Sequence, residues 1–205
     1  MTTATPVAAL LAAALCCAAE AAAGVAVRLE PVAGSPAPRG VASTVLEVAP
    51  ERLFRAMTDV AHWAEFMPFM VRSAPDPQTR GAWRQQLDLP FPWSDRLYAV
   101  RVDARQDARE RWTVSWRHVA GTGNVRGLDG HLSLRAVDEG RAAVELTLWS
   151  DLGGLVPAAA QESLLQRSLG WILDGLRQQA GRCRYDTPVA PSCAEERPIG
   201  AAGPP

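Results

Sequence analysis

The stretch that most constrains this chain runs from residue 151 to 182, a Gly-Gly turn followed by a long amphipathic helix. Pro157 suits the first helical position, where a missing N–H costs nothing, and Gly181 suits the residue past the end. Between them Ala158, Leu165, Leu169, Ile172, Leu173, Leu176 and Ala180 recur at three- and four-residue steps, with Glu162, Gln166, Asp174 and Arg177 on the opposite side. A helix of that length spans roughly 36 Å. Its apolar stripe therefore needs a broad, flat partner. Gly170 and Gly175 each cost about 1 kcal/mol relative to alanine in a helix interior, and two readings of Gly175 stand: it admits a close neighbour, or it is merely tolerated.

The flat partner lies upstream. From residue 69 onward the hydrophobic period changes to two, giving candidate strands at 69–74, 82–89, 96–103, 111–119, 125–137 and 142–151. Pro75-Asp76-Pro77, Gly121-Thr122-Gly123-Asn124 and Asp138-Glu139-Gly140 mark turns between them. Segment 41–48 has strand composition and makes a seventh. Ala49-Pro50-Glu51 then opens a short helix with Leu53, Phe54, Met57 and Val60 on one face, and a second short helix around 62–66 ends at Pro68. Short connections imply an antiparallel meander, and Val144, Leu146 and Leu148 alternating with Glu145 and Thr147 put one face in a core and one in water. The fold class is α+β: a seven-stranded antiparallel curved sheet wrapped around a long C-terminal helix, with two short helices after the first strand. Such wrapping leaves an elongated apolar cavity between sheet and helices, the usual form of a small-molecule site.

The flanks read differently. Residues 7–19 form an apolar run followed by Glu20 and the small residues Ala21-Ala22-Ala23, the layout of a signal peptide over 1–23. The run is short for a membrane span of about 20 residues. Two outcomes stand, cleavage near Ala23 and retention as a shallow anchor. Export implies a periplasmic or secreted protein in an oxidising compartment, where Cys183 and Cys193, the two cysteines beyond the signal, form a disulfide. Pro and Gly mark 24–40 as a linker after the patch Val25-Ala26-Val27, leaving a domain at 41–182 and a Pro-rich tail at 183–205.

Net charge is −1, from 21 basic and 22 acidic residues, and all the basic residues are arginine. That balance gives no polyanion-binding footprint, so nucleic acid is not a partner. His62, His118 and His131 lie in different elements, and no His/Cys/Asp/Glu set has metal-ligand spacing. No phosphate-binding glycine loop and no nucleophile elbow occur, so neither a metal nor a cofactor is expected. Four charged residues gather near the cavity ends, Arg96, Arg126, Asp95 and Asp151. By alternation Arg96 shares the apolar face of its strand with Tyr98, Val100 and Val102. A charge facing inward must meet a carboxylate or hold a polar ligand group. Both remain open for Arg96, with Asp151 or Asp95 as the ion-pair partner. Trp112, Val114, Trp116 and His118 fall on one face of a strand, placing both indoles in cavity wall or core.

Four stretches now resemble the START domain and its SRPBCC relatives of helix-grip (START-like, Bet v 1-like) fold, which include polyketide cyclases, plant steroid-binding proteins and ubiquinone-binding proteins. They are His62-Trp63-Ala64-Glu65-Phe66-Met67-Pro68, the turn Leu89-Pro90-Phe91-Pro92-Trp93-Ser94-Asp95-Arg96-Leu97-Tyr98, Val125-Arg126 with Gly130-His131-Leu132-Ser133-Leu134, and Asp151-Leu152-Gly153-Gly154-Leu155-Val156-Pro157. Leu97 stands where START domains usually carry an acidic residue and Leu152 where they often carry proline, so no particular START ligand is carried over. The resemblance implies a hydrophobic small molecule, such as a lipid, sterol-like compound or quinone, bound by Arg96, Tyr98, Trp112, Trp116, Leu165, Leu169, Ile172 and Leu176. An exported monomeric carrier with transient membrane contact is the first expectation. The alternatives are a polyketide cyclase or aromatase using Arg96 and a cavity tyrosine or histidine for proton transfer, and a ligand-free interaction module.

Overall fold

Eight strands, not seven, build the sheet in the computed structural model, which describes residues 24–107, 111–153 and 156–186. In chain order they are β1 (Ala26–Glu30), β2 (Arg39–Leu46), β3 (Met70–Pro75), β4 (Trp83–Leu87), β5 (Arg96–Gln106), β6 (Arg111–His118), β7 (Gly127–Asp138) and β8 (Arg141–Asp151). Helix α1 (Pro50–Thr58) and a 3-10 helix (Val60–Glu65) follow β2, and helix α2 (Ala158–Ala180) follows β8. All pairings are antiparallel in the order β1-β2-β8-β7-β6-β5-β4-β3. The meander from β3 to β8 is the predicted one.

The extra strand corrects the reading of 24–40 as linker. Its punctuating residues, Pro31, Gly34, Ser35, Pro36 and Pro38, only make the turn, while Ala26–Glu30 pairs with β2 from Ala26↔Ser43 to Glu30↔Arg39. This is a short edge strand with most side chains in water, so it carries no period-two signal. The other boundary also moves. Residues 183–186 belong to the domain and not to the tail: Tyr185 is buried, its hydroxyl donates to Asp59 Oδ2 at 3.0 Å, and Arg52 pairs with Asp186 at 2.9 Å. Cys193, the predicted partner of Cys183, and the predicted signal peptide lie outside the described residues.

Helix α2 lies in the concavity of the curved sheet. Pro157 is its N-cap rather than its first helical residue, and Gly181 follows the last turn. Leu165, Leu169, Ile172, Leu173, Leu176 and Ala180 are buried as the stripe predicts, whereas Ala158 is exposed and Gln161, Ser168 and Gln179 are buried among them. Gly175 admits a close neighbour: a Cβ there would sit 2.7 Å from the Phe66 carbonyl oxygen. Helix α1, opened by Pro50, buries Leu53, Ala56 and Met57. The following 3-10 helix is pinned to it by Trp63, whose indole N–H donates to the Met57 carbonyl at 2.9 Å. Because α1 packs on β6, β7 and α2, it fills one half of the concavity with side chains.

Candidate functional site

The other half of the concavity stays open. Between the inner face of the sheet, the turn at 66–70 and the first half of α2 lies a chamber of about 90 Å³. Its walls are Trp63, Met67, Pro68, Phe69 and Met70 from the 3-10 helix and turn, Gln85, Leu87, Leu89, Tyr98, Trp116, Leu128 and Leu148 from the sheet side, Ser150 and Leu152 beside the final turn, and Gln161, Leu164, Leu165, Ser168 and Ile172 from α2. Two larger hollows, of about 420 and 470 Å³, are lined by charged side chains such as Arg101 and Asp103 in the first and Arg72 and Arg84 in the second, with Trp116 bordering the first and Gln85 and Tyr98 the second. They offer no continuous apolar wall.

Backbone geometry explains the chamber's shape. Trp116 and Trp63 meet edge to face with ring centroids 5.4 Å apart. The indole of Trp116 lies across Gly130, its partner in the β6–β7 register, where a Cβ would come within 2.0 Å of two ring atoms. Phe69 closes the opposite side in an unusual conformation, φ +62°, alone among the described non-glycine residues. Such backbone costs about 1–3 kcal/mol and persists where surroundings over-determine it. Here the Phe69 carbonyl accepts from Asp88 N–H at 2.8 Å, and its ring packs edge to face on half-exposed Trp171 at 5.8 Å. Gln161 holds the turn before α2 against the chamber, its Oε1 accepting from Leu152 N–H and its Nε2 donating to the Val156 carbonyl, both at 3.0 Å.

Of the predicted binding residues, Tyr98, Trp116, Leu165 and Ile172 line the chamber. Trp112, Leu169 and Leu176 do not; they are packed in the core, because α1 occupies the end of the concavity that a longer cavity would need. Arg96 is buried but is held by neither expected arrangement. Its Nε donates to the Leu152 carbonyl at 2.8 Å and its Nη1 to the Ser94 carbonyl at 2.6 Å and Ser94 Oγ at 3.0 Å, so it ties the 89–95 turn to the turn before α2. The proposed ion pair is not formed: Asp95 Oδ2 accepts from Gln86, and Asp151 lies 4.0 Å from Arg126 while accepting from Gly153 N–H. Carbonyls cluster where two turns meet, which period-two reasoning cannot foresee.

Among the described residues Tyr98 is the one titratable side chain of the lining, and burial alone pushes its phenol well above the ordinary tyrosine range. Gln85, which sequence reasoning passed over, stands directly opposite Tyr98 in the β4–β5 register and is 1% exposed. The available signal was a glutamine flanked at two-residue steps by Trp83 and Leu87, a polar side chain on an apolar strand face. Among the described residues no group of three potential metal ligands gathers anywhere.

Comparison with known proteins supplies a family and a fold. The family model described as polyketide cyclase / dehydrase and lipid transport matches residues 46–177. Among curated proteins no sequence matches. A STAR-related lipid transfer protein fragment from Xanthomonas axonopodis has the same fold with TM-score 0.65 at 18% identity, covering 77% of this chain and 98% of that chain. Zhui aromatase/cyclase from Streptomyces sp. R1128 aligns with TM-score 0.55 at 18% identity over 70% of this chain and 93% of its own. The human StarD13 (DLC2) lipid transfer and protein localization domain aligns with TM-score 0.61 at 15% identity over 77% and 88%. At such identities the likeness speaks for the helix-grip fold alone.

Proposed function

This chain belongs to the polyketide cyclase/dehydrase and lipid transport family, a branch of the SRPBCC superfamily, and from that premise we propose that it carries one apolar molecule of the lipid class without transforming it. The observation that carries this reading is the chamber's lining: aromatic and aliphatic side chains with a single titratable group. At about 90 Å³ the chamber is smaller than the roughly 300–1,000 Å³ of typical ligand pockets. Loading therefore widens it, and the wall at Phe69, a strained residue backed by the half-exposed ring of Trp171, is the part able to yield. The same reading takes the protein to be a monomer outside the cytoplasm, exported through a signal peptide over residues 1–23, with Cys183 and Cys193 paired.

A cyclase reading draws on the likeness to an aromatase/cyclase fold. Proton transfer works best with groups whose pKa lies near the operating pH. Burial drives Tyr98 the opposite way, and the guanidinium of Arg96 is engaged by carbonyls away from the chamber. Mass spectrometry of an organic extract of the native protein tests the carrier reading. A stoichiometric apolar molecule is expected; an empty extract, together with no Nile red binding, refutes it.

A further inference from the structure

The chamber is lined mainly by apolar side chains, with Gln85 and Tyr98 as the polar pair of the sheet wall, Ser150 at the end of β8, and Gln161 and Ser168 on α2. Gln85 and Tyr98 are paired residues of adjacent strands, so their side chains rise next to each other from the concave face. Gln85 is almost completely buried and lines the chamber, yet its Nε2 has no hydrogen-bond partner among the described residues. Leaving a buried amide donor unpaired is costly, and folded proteins seldom do so. Neither of two nearby polar side chains relieves it: Gln161 engages its Oε1 and Nε2 with Leu152 and Val156, and Arg96 carries donors only.

We propose that Gln85 and Tyr98 form the polar end of the ligand site, and that the bound molecule is an uncharged apolar compound whose carbonyl oxygen accepts from both. The inference rests on the chamber being a ligand site and adds the ligand's chemical class. No cation lines the chamber among the described residues, so a carboxylate or phosphate would enter without a counter-charge, at high cost. A protonated amine carries donors only and would leave the Gln85 donor unmet. Burial keeps the Tyr98 phenol protonated, so it stays a donor at any physiological pH.

The test uses acetophenone and isopropylbenzene, which are close in size and differ in the carbonyl, titrated calorimetrically into wild type, Gln85→Met and Tyr98→Phe. Each substitution should weaken acetophenone by roughly threefold to tenfold, the usual worth of one hydrogen bond, while isopropylbenzene binds as before or tighter. A second readout needs no variant: the carbonyl stretch of acetophenone bound to wild type should lie below its frequency in hexane. A hexane-like stretch, or an unchanged affinity ratio in both variants, overturns the polar end and leaves the apolar chamber intact. Binding of neither probe by wild type overturns the chamber reading itself, and this inference with it.

Discussion

Gly130→Ala is a single-methyl perturbation whose consequence can be worked from the structure. The new Cβ would stand 2.0 Å from Cε2 and Cζ2 of Trp116 where ordinary contact begins at 3.4 Å, so the indole must retreat by about 1.4 Å. It cannot retreat toward Trp63, whose ring is in edge contact and whose N–H is bonded to Met57. It moves into the chamber instead. Overpacking of this kind costs about 1–3 kcal/mol, which at roughly 2–4 °C per kcal/mol for a domain of this size lowers Tm by about 2–12 °C. The sign reverses once the indole is gone. Gly130 has no positive φ, so in a Trp116→Leu background the same alanine should be neutral or stabilise by up to about 1 kcal/mol through the unfolded chain. Thermal unfolding of the four proteins of this double-mutant cycle, with Nile red retention measured on each, reads both effects. An unchanged Tm for Gly130→Ala alone, or an equal loss in both backgrounds, would refute the assigned contact; retained probe binding at lowered Tm would show that the indole does not enter the chamber.

Leu169→Ala, at a position fully buried but outside the chamber, should cost about 3–4 kcal/mol in urea unfolding and leave apolar-probe affinity unchanged. The two helix glycines should respond oppositely: Gly170→Ala meets nothing within 4 Å and should stabilise by up to about 1 kcal/mol, whereas Gly175→Ala meets the Phe66 backbone and should lower Tm in the same thermal scan. Tyr98, and Tyr185, which burial foremost pushes up to about 12, titrate near pH 10 when unfolded and higher when folded. Stability is therefore full below about pH 10 and falls above it, by at most about 1.4 kcal/mol per pH unit for the Tyr98 phenol and by less for Tyr185, whose hydroxyl is partly solvated, because the unfolded chain then binds fewer protons. Tyr98→Phe should flatten that decline in alkaline urea titrations.

By itself the sequence determined what periodicity can carry. The stripe on α2, the meander from β3 to β8 and the order of short helices before strands follow from local spacing, because each buries one face against a partner that only needs to be flat and apolar. It also marked Tyr98, Trp116, Leu165 and Ile172 as inward-facing. Only the tertiary structure decided where the concavity stays open. Whether α1 lies along the sheet or away from it depends on contacts between residues distant in sequence, and its packing on β6 and β7 assigns Trp112, Leu169 and Leu176 to the core. Arg96 was legible as inward and buried, but its partners are carbonyls of two turns that meet only in the fold. β1 was hidden because an edge strand needs hydrogen bonds and no hydrophobic pattern, so nothing in its five residues distinguishes it from a linker until β2 lies beside it.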